Sequence, residues 1–513
     1  MRCRSILIAF IAMLPVALAL PRAAHGQAGF DDDRVLLQSF YWESYRHGHP
    51  VKFPAYGNKR WYRIVAELAP AIRAGRFDLI WLPSPSFSGA HAACMPRECL
   101  HSAGYNPKEY FDLDNSYGDA AEHASMLTNL LGNGVEPVAD LVLNHRDGSQ
   151  SWGDFRNPDW GPWAITRDDE AFTNPASPLF NLPVPQRGAP EEKPVEYARH
   201  GGTTYAYGSF RDLDHTNEQV RRDIIRYLLQ LKSLGYRGWR YDMVHGYHAR
   251  WIAVYNRASA PTFSVGEYDW DKPDEQRGWV WFTAAVPGRL ETSSSVFDFM
   301  TQFYLKDHKG DSVAQYGTGR GLVGDTTDGQ PWKNKAVTFL ENHDTGYRTN
   351  EDGTPENSHT ADSFANGWEV EQGYARILTH PGVPAVYWKH YFDWGPDLSA
   401  KIRALINARK VAGVHAGSAV HPQDNARSAN VYAARVEGRN GDLYVRIGGS
   451  DTDWQPSRSG YRDYREYARG AGWTVWVGLS GNPAFQEAPL RAPLPIPIYR
   501  DPQTIDVPDR LLN

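Results

Sequence analysis

Hydrophobic and polar positions along this chain alternate between short apolar runs and longer amphipathic segments. Eight runs rich in Val, Leu, Ile and aromatic residues lie at 35–42, 77–85, 135–145, 236–243, 263–269, 294–300, 335–344 and 382–388. The segments between them include 61–75 and 217–235, whose apolar residues recur with helical spacing. Strands alternating with helices predict a parallel sheet, and eight such units predict a closed α/β fold, the (β/α)8 TIM barrel. An open doubly wound sheet is the alternative, which the eightfold count disfavours.

One connection interrupts the alternation of strands and helices. A long segment rich in Gly, Pro, Asp and Trp follows the third run before the next helical pattern begins. Connections of this length are normally functional, so we predict an inserted domain at 146–209 over the C-terminal mouth of the barrel. From about residue 415 the pattern changes to strands alone, which predicts an antiparallel β domain over 415–513. The barrel would then comprise 27–145 and 210–414.

The first residues have the pattern of a secretory signal peptide. Arg2 and Arg4 precede an apolar run, and small residues follow it near Gly26. We therefore expect residues 1–26 to be removed, which would make the mature protein secreted or periplasmic. No later run in the sequence is long and apolar enough to cross a membrane.

Two cysteines, Cys94 and Cys99, would remain after this removal. In an oxidising compartment they could close a short loop as a disulfide. A zinc site would need more ligands at metal spacing, and the sequence does not contain them.

Charge and aromatic content limit the classes of binding partner that the sequence favours. Sixty acidic and 54 basic side chains give a formal net charge of −6, so nothing predicts nucleic-acid binding, and a neutral substrate suits the balance better. Aromatic residues make up 13% of the chain. They could serve only in packing, but aromatic faces are also the usual platform for sugar rings.

Polar residues follow four different predicted strands at the carboxyl end, where the reactive groups of a barrel collect. They are Asn144 and His145, Arg240 and Asp242, Glu267, and His343 and Asp344. A single acid at such a position is usually a helix cap or a solvated loop residue. Independent capping does not explain why three acids converge on one rim, so we predict a functional site there.

Three acids around one mouth suit cleavage of a glycosidic bond. In a retaining reaction an ionised carboxylate attacks the anomeric carbon, and a carboxylic acid protonates the leaving oxygen. Arg240 and Asp242 are two residues apart on a strand and share a face, so Arg240 is expected to keep Asp242 ionised as the nucleophile. Glu267 would be the acid, because like charges and partial burial favour its protonated form.

The other polar residues of the rim are expected to contact the sugar. Asp344 would bind sugar hydroxyls and help Glu267 to keep its proton. His145 and His343 would donate hydrogen bonds to hydroxyls of the bound ring.

Four stretches in this order resemble the motifs of the α-amylase family, glycoside hydrolase family 13. They are VADLVLNH at 138–145, GWRYDMVHGY at 238–247, GEYD at 266–269 and LENHDTG at 340–346. The resemblance implies a barrel, an insertion after strand three and a C-terminal β domain. It also implies that Asp242 is the nucleophile, Glu267 the acid/base and Asp344 the transition-state stabiliser. Tyr105 matches a family tyrosine that stacks under the sugar ring at the cut.

Two subgroups of the family are most similar. LLQSFYWES and WLPSPS resemble plant and related bacterial α-amylases, and YARILTHPGVPAVYWKHYFDWG resembles the bacterial maltotetraose-forming amylases. The resemblance implies an α-amylase that cleaves α-1,4-glucosidic bonds in starch and maltooligosaccharides through a covalent glycosyl–aspartate intermediate, and we expect a monomer. A maltotetraose-forming exo-amylase is the first alternative and a transglycosylase the second. A non-catalytic sugar-binding protein would require a lost acid, and all three are present.

The same resemblance implies structural calcium between the insertion and the barrel. The positions that match its ligands are Asn144, Asp212 and the backbone carbonyl of Gly246, and oxygen ligands of this kind suit calcium. The other acidic ligands of the insertion have no clear match in TTYAYGSFRD at 203–212. The alternative is that Asp212 only caps the helix that follows.

Overall fold

Eight parallel strands close into a barrel in which each strand pairs with its neighbours in sequence and the last pairs with the first. The structure, a computed structural model, describes residues 30–48, 56–89, 102–149, 151–190, 210–268, 272–308, 317, 319–326, 328–348, 364, 366–423, 430–457, 464–479 and 487–513. The strands β1 to β8 are Leu36–Gln38, Leu79–Leu82, Glu136–Leu141, Gly238–Tyr241, Phe263–Gly266, Ser295–Phe297, Ala336–Thr338 and Val383–Tyr387. Each lies within its predicted run, so the barrel prediction is confirmed and the open sheet is excluded.

An α-helix follows each strand along the chain, as the alternating pattern predicted. The helices α1 to α8 are Trp61–Ala74, Ala120–Gly132, Glu218–Leu234, Arg250–Ser259, Pro273–Phe282, Phe299–Asp307, Gly367–Thr379 and Pro396–Ala412. The Asn217 side chain starts α3 by accepting the N–H of Gln219 at 2.9 Å. Gly235 follows its last turn with φ 139°, a conformation that a side chain would disfavour.

The insertion leaves the barrel after β3 and returns before α3. His145–Arg146 pairs antiparallel with Arg211–Asp212, so the outgoing and returning chains lie side by side at its neck. The Arg146 guanidinium lies 4.7 Å from the ring centroids of both Tyr110 and Trp160. This buried cation–π cluster fixes the start of the insertion against the neighbouring loop.

A five-stranded antiparallel sheet follows the barrel, as predicted for the C-terminal domain. Its strands β9 to β13 are Val420–Pro422, Tyr432–Glu437, Gly441–Ile447, Tyr464–Gly470 and Trp473–Leu479. They are arranged in the order β9-β10-β11-β13-β12. Leu443, Val445 and Val475 lie on one face of the sheet and join the core that includes α7 and α8.

Residues 487–513 form no strand and cross the outside of the barrel; we call them the C-terminal strap. The Leu494 N–H donates to the Leu131 carbonyl at 2.8 Å, and further along Arg221 Nε donates to the Leu512 carbonyl at 2.9 Å. Ile505, Val507 and Leu512 are almost fully buried. The strap therefore holds α2 and α3 to one another on the outer surface of the barrel.

No helix within the described ranges is both long and apolar enough to span a bilayer. The predicted signal peptide at 1–26 and the cysteines Cys94 and Cys99 lie outside the described residues.

Candidate active site

One arginine gathers three carboxylates at the carboxyl ends of β3, β4 and β5. Arg240 Nη1 lies 2.7 Å from Asp140 Oδ1 and 2.6 Å from Asp242 Oδ1. Its Nη2 lies 2.8 Å from Glu267 Oε1. The arginine is buried, and Trp81 covers the guanidinium with its ring centroid at 4.7 Å. Asp242 and Glu267, predicted from distant parts of the sequence, are therefore neighbours on one planar cation.

Burial raises the pKa of two of these acids. Burial raises the pKa of Asp140 to about 6, and Arg240 opposes that shift only in part. Burial also raises the pKa of Asp242 well above its ordinary value, with Glu267 and Asp140 adding to the effect of burial. The expectation that Arg240 keeps Asp242 ionised stays a prediction, because the arginine lowers the pKa of Asp242 while burial raises it. What the arginine does fix is the position of the three acids.

A strained backbone conformation just after Asp242 helps to hold Glu267 in place. Met243 has φ 43°, a left-handed conformation that costs energy in a residue with a side chain. In this conformation its N–H donates to Glu267 Oε2 at 3.0 Å. Both oxygens of Glu267 are therefore held, one by Arg240 and one by this amide.

Asp344 lies at the edge of the same site, in the turn after β7. The Asn342 side chain accepts the N–H of Asp344 at 2.9 Å and fixes the turn. Asp344 Oδ2 lies 3.1 Å from His343 Nε2, and Oδ1 accepts a hydrogen bond from Arg348 Nη2 at 2.7 Å. The Asp344 side chain is 42% exposed, so it faces the open side of the site.

Tyr105 connects Asp344 to the buried cluster. Its hydroxyl donates to Asp140 Oδ2 at 2.9 Å and lies 2.6 Å from His343 Nε2. The rings of Tyr105, His343 and Trp42 are nearly parallel, with Trp42 centred 6.0 Å from Tyr105 and 6.2 Å from His343. Burial holds the pKa of His343 well below its usual value, and Arg240 adds to that shift, so the ring is neutral. The result is an aromatic wall beside the acids.

His145 is buried next to this wall. Its Nε2 lies 2.9 Å from the Tyr105 carbonyl, and its ring stacks on Phe210 at 5.4 Å. Burial lowers the pKa of His145 to about 4, so the imidazole is neutral. In this structure His145 contacts the backbone of the residue predicted to stack under the sugar.

The three predicted calcium ligands lie together at the neck of the insertion. Asn144 Nδ2 donates to Asp212 Oδ1 at 3.0 Å, and Asn144 Oδ1 is buried with no hydrogen-bond partner. A Cβ on Gly246 would come within 2.0 Å of that oxygen, so the Gly246 backbone reaches Asn144 because it lacks a side chain. An orphaned amide oxygen beside a carboxylate fits a hard cation such as Ca²⁺. Among the described residues no cluster of three or more His, Cys, Asp or Glu side chains suits a metal.

Four residues of the site were not singled out in the sequence: Asp140, Trp42, Trp81 and Arg348. Asp140 could have been found from the sequence, because it is an acid within an apolar strand. Arg240 stands out for the same reason, as a base within an apolar strand. Trp81 also donates to Asp140, from Nε1 to Oδ2 at 3.0 Å. Trp42 begins the short 3-10 helix Trp42–Arg46 and Arg348 lies in a loop, and nothing in their sequence spacing indicates their contact.

Two family models match the chain. The catalytic domain of alpha amylase matches residues 75–319, and the alpha-amylase C-terminal beta-sheet domain matches residues 411–477. These matches fall on the barrel with its insertion and on the C-terminal sheet.

Relatives and solved structures agree with these matches. The chain is 30% identical over 472 residues to probable alpha-amylase 2 of Arabidopsis thaliana, covering 87% of this chain and 94% of that protein. It is 30% identical to a glucan 1,4-alpha-maltotetraohydrolase of Roseateles saccharophilus, covering 80% of this chain and 67% of that protein. The cyclomaltodextrin glucanotransferase CldA has the same fold, with a TM-score of 0.59 at 16% identity over 87% of this chain and 99% of CldA.

Proposed function

The chain belongs to the alpha-amylase family of hydrolases, and we propose that it cleaves α-1,4-glucosidic bonds of starch and maltooligosaccharides with retention of configuration. The observation that carries this proposal is the single buried guanidinium of Arg240, which contacts both Asp242 and Glu267. Retaining enzymes need two carboxyls about 5 Å apart. Acids bound to neighbouring nitrogens of one guanidinium suit that short separation.

Asp242 and Glu267 divide the reaction between them. In the reactive form Glu267 carries a proton and Asp242 is ionised. Glu267 gives this proton to the leaving glycosidic oxygen as the bond to the anomeric carbon breaks, and Asp242 forms an ester to that carbon. Water then attacks the same carbon, Glu267 takes up its proton, and Asp242 leaves as a carboxylate.

The open side of the site positions the sugar. Asp344 presents its carboxylate to ring hydroxyls and stabilises positive charge that develops at the anomeric carbon. Tyr105 offers a flat face for the ring, and the neutral His343 lies beside it. A neutral imidazole has one N–H, and that of His145 donates to the Tyr105 carbonyl, so His145 supports the sugar site through Tyr105.

Calcium has a structural part in this proposal. Asn144, Asp212 and the Gly246 carbonyl would hold the ion where the insertion meets the barrel. The ion would stabilise the neck and, with it, the adjacent His145. The chemical steps involve only the side chains of the site.

Replacement of Glu267 by Gln tests the assignment. The variant keeps the shape and loses the proton donor, so starch hydrolysis should fall by at least about 100-fold. Arg469→Gln, an exposed change in the C-terminal sheet, is the matched control. A Glu267→Gln enzyme with near wild-type activity would show that the site is wrongly assigned.

A maltotetraose-forming exo-amylase is the alternative, because one relative is a glucan 1,4-alpha-maltotetraohydrolase. Transglycosylation is a further alternative, because the covalent intermediate can be captured by a sugar hydroxyl instead of water. A time course on amylose separates these activities. A broad ladder of products indicates internal cleavage, early maltotetraose indicates exo action, and products longer than a maltoheptaose substrate indicate transfer.

We also propose that residues 1–26 direct the chain out of the cytoplasm and that the mature protein is a monomer. The apolar run after Arg2 and Arg4 supports the first statement. N-terminal sequencing of the exported protein and light scattering of the purified protein test the two statements separately.

A further inference from the structure

The Arg348 side chain contacts Asp344, His343 and Trp42. Its Nη2 donates to Asp344 Oδ1 at 2.7 Å, and its Nε donates to the His343 carbonyl at 3.2 Å. Its guanidinium carbon lies 4.2 Å from the ring centroid of Trp42. Arg348 itself is 8% exposed, although the Asp344 carboxylate that it contacts is open. A guanidinium held on three sides is an oriented group rather than a mobile surface charge.

The loop that carries Arg348 is fastened from a second strand. Lys389, which follows β8, donates to the Tyr347 carbonyl at 2.5 Å. The same ammonium lies 3.4 Å from Glu43 Oε2, in the segment after β1 that also carries Trp42. Trp42 therefore contacts Arg348 directly, and the next residue, Glu43, is linked to the Tyr347 carbonyl through Lys389. The contact to the Tyr347 backbone and the contacts of the Arg348 side chain together fix the position of Arg348.

We propose that Arg348 is a positioning residue for the glycosidase reaction: it orients the Asp344 carboxylate and sets the charge at the edge of the site that holds Asp242 and Glu267. This inference rests on the proposed function. With Arg348 on one carboxylate oxygen and His343 on the other, Asp344 has one orientation before the sugar arrives, which lowers the cost of reaching the transition state. The positive charge of Arg348 also offsets the negative charge of Asp344.

The charge of Arg348 should affect how the reaction rate depends on pH. The charged and titratable groups that surround Arg348 and the acids are Asp344, His343, Tyr105, Asp140, Arg240, Asp242, Glu267, Glu43 and Lys389. Loss of the Arg348 cation leaves Asp344 unbalanced. The acid cluster should then keep its proton to higher pH.

Kinetics of Arg348→Gln and Arg348→Lys on maltoheptaose test the proposal. We expect Arg348→Gln to lower kcat at least about tenfold with KM little changed, because Asp344 loses its orientation. The alkaline limb of its pH–rate profile should move up by about one unit. Arg348→Lys keeps the charge but not the planar fork, so kcat should fall while the profile stays at the wild-type position. Arg469→Gln is the control.

The double variant with Asp344→Asn shows whether the effect acts through Asp344. In that background Arg348→Gln should lower kcat little further, because the carboxylate that Arg348 orients is already gone. Superimposable profiles for wild type and Arg348→Gln, or an equal further loss of kcat in the Asp344→Asn background, would overturn the proposal. If Arg348→Gln does not fold, as judged by circular dichroism, Arg348→Lys decides: unchanged kcat overturns the proposal and reduced kcat with an unmoved profile supports it. A wild-type protein inactive on all glucans would instead reject the proposed function.

Discussion

Asp140 and Arg240 lie directly opposite each other in the register of β3 and β4, and their side chains meet at 2.7 Å inside the barrel. Asp140 also accepts hydrogen bonds from Trp81 and Tyr105. Asp140 therefore holds both Arg240, which contacts the proposed nucleophile, and Tyr105, which lies at the proposed sugar site. A buried ion pair is seldom a net source of stability, but loss of one partner is costly.

Asp140→Asn should therefore damage both activity and stability. The change leaves Arg240 with one fewer buried carboxylate, and we expect a loss of about 3 kcal/mol in unfolding free energy. Starch hydrolysis should fall by about 100-fold, because Arg240 and Tyr105 lose a shared anchor. Urea unfolding and a reducing-sugar assay measure the two effects. Asp451→Asn, in the C-terminal sheet domain, is the control, and equal behaviour of the two variants would contradict the role given to Asp140.

Buried histidines should make the fold sensitive to acid. Burial lowers the pKa of His123 to about 3, and its Nε2 lies 2.7 Å from the Tyr236 hydroxyl. Below pH 6.5 the unfolded chain binds a proton at this residue while the folded protein does not, so stability falls as pH falls from 6.5 towards 3. The contribution is about 1.4 kcal/mol for each pH unit.

Removal of this histidine should reduce the slope of stability against pH. His123→Gln keeps a polar group near Tyr236 but cannot titrate, so its unfolding free energy should change less between pH 6.5 and pH 4 than that of wild type. Chemical unfolding at several pH values measures the difference. Parallel curves for both proteins would mean that His123 is protonated in the fold.

The C-terminal strap should contribute to barrel stability. Leu512 is buried against the barrel, whereas Ile498 of the same strap is 88% exposed. Leu512→Ala should cost about 2–5 kcal/mol of unfolding free energy, and Ile498→Ala less than about 0.5 kcal/mol. Thermal and urea unfolding of both variants provide the comparison. A small effect at both positions would show that the strap is dispensable.

Chelation should reveal the proposed calcium. We expect EDTA to lower the unfolding temperature of the wild-type protein and added Ca²⁺ to restore it, because an ion bound only by the folded state stabilises that state. Asn144→Ala should unfold at a lower temperature and respond little to EDTA. Asn129→Ala, a change at an exposed residue of α2, should respond as wild type does. Insensitivity of the wild-type protein to EDTA would remove calcium from the proposal.

The barrel could be predicted from sequence because its signals are local and repeated. Each strand is a short buried run, and each is followed by a helix, as at β4 and α4. The acids Asp242, Glu267 and Asp344 could be found because they stand at strand ends, where this architecture collects reactive groups.

The charge state of the site could not be predicted in the same way. The raised pKa of Asp242 depends in part on Asp140, which meets Arg240 only through the register of two strands 100 residues apart in sequence. The contact between Trp42 and Arg348 joins a short 3-10 helix after β1 to a loop after β7, and no periodicity in the sequence encodes it. Local patterns indicate which residues reach the rim, whereas pairwise distances in three dimensions set their protonation.

The paired neck of the insertion has a consequence for how such barrels can diversify. Because His145–Arg146 and Arg211–Asp212 lie side by side, the ends of the intervening segment are fixed close together whatever its length. A segment of different size could be grafted between them while the eight strands keep their register. The segment between these two pairs can therefore vary in length independently of the strand ends that carry Asp242 and Glu267.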